Sequence, residues 1–193
     1  MKRWIRSTIQ LWLFALCSTL TISVHAAVID MNVFYFTDTT SGETDSSHSV
    51  TAYAFYFGFS IDKKGRYVAG WNYASYTTAT EDDATTIDYS STQMGPAFII
   101  YLDRDHNWRL GLAYNLETNA TYERTGAAEE EWRGTGIAAD IGYQFYFSEM
   151  FSLGARLNYQ QSSYSETVTD TTKEDVSYSK DLIYPSMGLS FTF

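Results

Sequence analysis

The stretch Tyr53-Ala54-Phe55-Tyr56-Phe57-Gly58-Phe59-Ser60-Ile61 decides the fold, because every second residue is bulky and apolar while those between are mostly small. A period of two is the period of a β-strand, whose successive side chains point to opposite faces. The same alternation returns from Trp108 to Leu116, where Arg109, Gly111, Ala113 and Asn115 oppose the leucines, and again from Ile137 to Phe147. No apolar run in the rest of the chain beyond residue 26 is long enough for a membrane helix.

A soluble sandwich also alternates, so the deciding question is which face is greasy. A soluble barrel hides its apolar face, whereas a barrel in lipid turns that face outward and keeps small or polar residues inside. Here the second face carries Gly, Ala, Ser, Asn, Gln and isolated charges, which make a poor dry core and a suitable polar lumen. Backbone groups in lipid must all be paired, which requires the sheet to close on itself.

The connections are of two kinds. Tight turns are expected at Asp62–Gly65, Asp103–Asn107 and Ser148–Met150, and longer polar stretches run from Asp38 to Ser49, Ala79 to Thr86, Tyr122 to Gly134 and Ser162 to Ser177. Three short turns and four long loops predict an all-β, closed antiparallel transmembrane barrel of eight strands, with periplasmic turns and extracellular loops. The strands are expected near 28–37, 50–61, 66–78, 87–102, 107–121, 135–147, 151–161 and 178–193; ten strands is the alternative count. Several exceed the roughly 9 to 11 residues that cross a bilayer and should project beyond it.

The amino-terminal residues set the compartment. Met1-Lys2-Arg3-Trp4-Ile5-Arg6 is a basic start, an apolar stretch from Ile9 to Val24 follows, and Val24-His25-Ala26 ends it with small residues at the positions a signal peptidase reads. Residues 1–26 are therefore expected to be a cleaved signal peptide and 27–193 the barrel, in the outer membrane. Its removal leaves 10 basic residues against 23 acidic ones, a net charge of −13, and takes away the only cysteine, Cys17. A chain so acidic gives no case for nucleic-acid binding, and no disulfide or thiolate site remains.

The final stretch, from Tyr184-Pro185 to Phe193, resembles the carboxy-terminal signal of outer-membrane barrels, with Met187, Leu189, Phe191 and Phe193 at alternating positions. The whole chain beyond the signal resembles the small barrels typified by the membrane domain of outer membrane protein A and by outer membrane protein X. That resemblance implies reading by the barrel assembly machinery, escort by periplasmic chaperones and contact with outer-membrane lipid and lipopolysaccharide. Pro185 departs from the pattern and predicts a bulge or bend. Tyr67, Trp108, Phe147, Phe151 and Phe193 near the short turns, with Tyr73, Tyr114 and Tyr159 farther along, would form two aromatic girdles.

The period of two turns Asp30, Asn32, Arg66, Asn72, Arg109, Asn115, Glu117, Asp140, Gln144, Arg156, Asn158 and Gln160 inward. An eight-stranded barrel is only wide enough for its side chains to fill it. Three acids and three arginines there, Asp30, Glu117, Asp140, Arg66, Arg109 and Arg156, predict a paired lumen plug, with Asp30 and Asp140 nearest Arg109 and Arg156. A gated ion path or proton relay is the functional alternative to charge satisfaction.

Outside, acids gather at Asp45, Glu81-Asp82-Asp83, Glu129-Glu130-Glu131, Asp170 and Glu174-Asp175. Carboxylates at that density suit hard cations or a lipopolysaccharide cation network, but no spacing matches a calcium loop, so neither metal nor cofactor is expected. His48, between Ser47 and Ser49, is the one candidate for acyl-transfer chemistry, with Asp45, Asp82, Asp83 and Asp88 as possible orienting acids; His106 reads as a turn residue. Three functions follow: a non-enzymatic barrel that stabilises the envelope or presents loops to an extracellular ligand, a narrow channel for small solutes or ions, and a lipid A-modifying enzyme using His48.

Overall fold

The computed structural model describes residues 26–40, 46–82, 84–169 and 172–193; the expected signal peptide lies outside them. Eight strands, β1 (Ala27–Thr40), β2 (Ser46–Ser60), β3 (Tyr67–Asp82), β4 (Thr85–Tyr101), β5 (Trp108–Arg124), β6 (Glu130–Tyr146), β7 (Phe151–Thr169) and β8 (Thr172–Thr192), form one antiparallel sheet. Each strand pairs with its sequence neighbours, and β1 returns to β8 to close the barrel.

The strands are longer than the apolar alternation marks. Thr40 pairs with Ser46, Asp82 with Thr85 and Thr169 with Thr172, so most of the four polar stretches read as long loops are hairpin extensions. The reason is that Ser- and Thr-rich segments lose the apolar alternation where both faces meet water. They still zip up because the adjoining ladder is already formed and threonine favours strands.

The bulky apolar face is the outer one. Phe55, Phe57, Phe59, Trp71, Leu112, Tyr114, Ile137, Ile141 and Leu157 are exposed, while Asp30, Gln93, Arg109, Asn115, Gln144 and Arg156 are buried inside. A belt of that kind is what hydrocarbon tolerates and water does not.

Two of the tight turns repeat one design. Asp62 accepts the backbone N–H groups of Lys64 and Tyr67 (3.1 and 2.9 Å), and Asp103 accepts those of Asn107 and Trp108 (3.2 and 2.8 Å). Three residues after each aspartate the chain enters the left-handed region, at Gly65 (φ 68°) and His106 (φ 59°). Burial raises each carboxylate and is the largest single influence on it, but the backbone N–H bonds together outweigh it and hold both below the usual range.

Two irregularities correct the sequence reading. The β5 ladder slips by one residue between Asn115 and Thr118 against β6, and across from Pro96 against β4, so Leu116 and Glu117 both face outward. Glu117 therefore leaves the lumen set: a bulge resets the period of two, and Pro96 has no N–H to hold the ladder opposite it. Pro185 makes no bulge, because its pairing with Leu157 is continuous on the β7 side.

Candidate functional site

The lumen near the turn end is filled by a charge cluster drawn from four strands. Arg156 on β7 grips Asp30 on β1 with both terminal nitrogens, Nη1 to Oδ1 and Nη2 to Oδ2, each at 2.5 Å. Arg109 on β5 reaches Asp30 Oδ2 at 2.7 Å through Nη1 and Asp140 on β6 at 3.0 Å through Nε. The Ser190 hydroxyl of β8 donates to Asp30 Oδ2 as well. Two acids and two guanidinium groups balance, and the side chains of Asp30, Arg109 and Arg156 are at most 3% exposed.

Room for this cluster comes from glycines on the inner face. A Cβ on Gly188 would collide with the Arg156 guanidinium, and one on Gly111 would collide with the Asp140 carboxylate. Sequence reasoning placed Gly111 on the polar face without giving it a role and missed Ser190 and Gly188, since small residues on that face carry no individual signal.

The two remaining charges assigned to this network stand apart. Arg66 lies at the turn end, where its Nε donates to the carbonyl of Tyr101 at 3.4 Å. Its position at the mouth of β3 gives it backbone carbonyls rather than a buried acid. Glu117 faces outward and accepts from Asn119 Nδ2 at 2.8 Å.

Amide and apolar layers continue the filling. Asn115 Nδ2 donates to Gln93 Oε1 and Gln93 Nε2 to Ser162 Oγ, both at 2.5 Å, while Asn158 Nδ2 donates to Ser186 Oγ at 2.8 Å. Toward the turns, Val28, Tyr56, Val68, Ile99 and Tyr101 pack together, and Gln144 Nε2 donates to the His106 carbonyl at 3.0 Å. Toward the other end, Tyr76, Tyr89, Tyr164 and Tyr184 form an aromatic layer with Phe34 and Trp132. The cavity left beside Asp30, Arg109 and Asp140 measures about 50 Å³, space for a few waters.

His48 is exposed, and its Nδ1 lies 2.9 Å from Thr80 Oγ1. Asp45 and Asp83 lie outside the described residues, and Asp88 turns outward, on the opposite side of β4 from buried Tyr89. Among the described residues, no group of three or more His, Cys, Asp or Glu is placed to hold a metal ion. Met187, Leu189, Phe191 and Phe193 line the outward side of the β8 end, where Phe191 meets Phe151 at 5.3 Å between ring centres.

No protein-family model and no curated protein matches the sequence. Among solved structures the chain is similar to neisserial surface protein A (16% identity, 88% of this chain and 97% of that one, TM-score 0.52). It also matches OprG of Pseudomonas aeruginosa (11%, 88% and 96%, 0.49) and Ail, the attachment invasion locus protein of Yersinia pestis (14%, 88% and 99%, 0.44). At such identities the likeness concerns the fold: an eight-stranded barrel of the kind found among small outer-membrane proteins.

Proposed function

We propose that this chain is a closed outer-membrane barrel without catalytic activity, whose work is done by the part that projects beyond the apolar belt, as an envelope-stabilising element or as a surface for an extracellular ligand. The observation that carries the reading is the lumen cluster: Asp30, Arg109, Arg156 and Asp140 pair their charges with one another across the lumen, and the cavity beside them measures about 50 Å³. A pore that passes solutes would keep its polar groups facing water, whereas these are paired with one another and largely buried. The long extensions of β7 and β8, which bring Glu166, Lys173, Glu174 and Asp175 beyond the belt, supply the projecting surface.

Reading by the assembly machinery through Met187, Leu189, Phe191 and Phe193, escort by periplasmic chaperones and contact with lipopolysaccharide belong to the same proposal. Its support is the outward apolar stripe of β8. The channel reading would have to pass the ion-paired section described above, and the lipid-modifying reading rests on His48 alone. The test is planar-bilayer conductance of the refolded chain, with heat-modifiable gel migration as folding control and Arg109→Ala beside it. Silence from the folded wild type is expected; reproducible conductance changed by Arg109→Ala would replace this proposal with the channel.

A further inference from the structure

The seam between β1 and β8 is paired over only part of its length. Val28–Val33 pair with Thr192–Met187 and the ladder stops, although β1 continues to Thr40 and β8 continues back to Thr172. The reason lies in the backbone. At the base Ala27 and Phe193 exchange both of their hydrogen bonds, at 3.1 and 2.9 Å. In an antiparallel ladder every second residue then faces the same partner, so Phe191, Leu189 and Met187 serve β1 in turn. The next in that series is Pro185, which has no N–H to give to Tyr35. Beyond this point each strand stays paired on its other side, β1 to β2 as far as Thr40 and β8 to β7 as far as Thr172. The result is a slot in the hydrogen-bonded ladder of the wall, beyond Val33 and Met187, with one unpaired strand edge on either side.

The side chains around the slot are apolar outside and carry one cation inside. Ile183 and Tyr35 are 72% and 70% exposed, the most of any large apolar residues among those described. Phe36 is 46% exposed although the pleat turns it toward the lumen, and Phe34 meets Tyr184 at 5.7 Å between ring centres. Behind them the Lys180 ammonium lies 3.3 Å from the centre of the Tyr89 ring and 5.7 Å from that of Tyr76. Among the described residues it makes no ion pair, so the cation is half-buried over aromatic faces without an anion. Asp181, its neighbour, faces outward and marks where the apolar belt ends.

We propose that this slot binds a long-chain fatty-acid anion, its chain lying between Tyr35 and Ile183 and its carboxylate on Lys180. The inference rests on the chain residing in a membrane. A single cation suits a monoanion rather than a multiply phosphorylated lipid. A polypeptide strand is disfavoured because this edge carries Pro185, an inward-pointing lysine and Asp181, features that discourage strand addition. The depth agrees, with hydrocarbon-compatible side chains below and a charged residue at the edge of the belt.

The test uses the refolded chain from residue 27 in phosphatidylcholine vesicles, probed by spin-labelled stearic acid and by its methyl ester. Electron spin resonance reads the motionally restricted fraction of each probe. The acid should associate at least about three-fold more strongly than the ester, the scale of a partly exposed ion pair. Lys180→Gln should abolish that preference with heat-modifiable migration intact. Pro185→Val, which restores the donor facing Tyr35, should lower the restricted fraction of both probes. Equal association of acid and ester with the wild type, or a preference that survives Lys180→Gln, would overturn the proposal while leaving the barrel reading in place. Failure of the chain to insert would overturn both.

Discussion

Asp30 and Arg156, 126 residues apart in sequence, form a buried bidentate ion pair at 2.5 Å in the lumen and tie the first strand to the seventh. Because β8 lies between those strands, the pair spans the seam that closes the barrel. Removing one member of a buried pair leaves a desolvated charge, at a cost of roughly 3 to 5 kcal/mol. Asp30→Asn should therefore lower the unfolding free energy in micelles by that order. Removing both charges, as in Asp30→Asn with Arg156→Met, should recover a large part of the loss; a double variant as unstable as the sum of the singles would argue against direct coupling.

Gly188 should be intolerant of any side chain. Its Cα lies under the Arg156 guanidinium, and an added Cβ would occupy the same space. Gly188→Ala should cost about 1 to 3 kcal/mol by displacing the guanidinium from Asp30, the magnitude of overpacking a tight site. Urea unfolding of the refolded variant checks it. Gly126, whose Cβ would meet nothing within 4 Å, lies in the connection from β5 to β6 and should show no such clash, although its φ of 79° brings a strain of its own.

The alternation from Tyr53 to Ile61 made strand β2 and its outward face legible, and the polar partners of the leucines in β5 made Arg109 legible as a lumen residue. What the sequence hid has physical causes. Glu117 was misassigned because one extra residue in β5 resets the facing, and a bulge has no signature beyond Pro96 on the neighbouring strand. The strand extensions were read as loops because Ser and Thr on both faces erase the apolar period. Lys180 was missed because its aromatic surroundings come from β3 and β4, far away in sequence.

The outward bulge can be tested against the belt. Leu112 faces outward in the apolar zone, so Leu112→Arg should destabilise the barrel by about 2 to 4 kcal/mol near the bilayer midplane. Glu117, on the same strand but exposed beyond the bulge, should tolerate alanine within about 0.5 kcal/mol. Paired unfolding measurements in bilayers read both. A strongly destabilising Glu117→Ala would place that carboxylate back in the lumen network.

Lys180 should make stability depend on alkaline pH. Burial pushes its ammonium down from 10.5 to about 8. Between those values the unfolded chain holds more protons than the folded one, so the penalty for burying the charge is present at neutral pH and is relieved as pH rises through that window. Its part exposure reduces the effect to the order of 1 kcal/mol. Lys180→Met should stabilise the protein at neutral pH, and the difference from wild type should shrink toward pH 10.5. Subtracting the variant removes the titration of Tyr76 and Tyr89, which both proteins share. A difference independent of pH would mean that the ammonium is no harder to bury than to leave in water.

The paired turns supply a stabilising substitution. Gly65 and His106 hold the same place three residues after an aspartate, at φ 68° and 59°, and only glycine adopts that conformation without steric cost. For a residue with a side chain the cost is roughly 1 to 2 kcal/mol. The His106 ring recovers part of this by lying 4.8 Å from Tyr101, a contact worth on the order of 0.5 to 1 kcal/mol. The carbonyl that accepts from Gln144 belongs to the backbone and survives any substitution. His106→Gly should therefore be neutral or stabilising by up to about 1 kcal/mol, whereas His106→Val, branched where the backbone is left-handed, should destabilise. Thermal shift of heat-modifiable migration ranks the three proteins. If His106→Gly fell below the wild type by more than about 1 kcal/mol, the ring contact with Tyr101 rather than the turn geometry would be what selects histidine there.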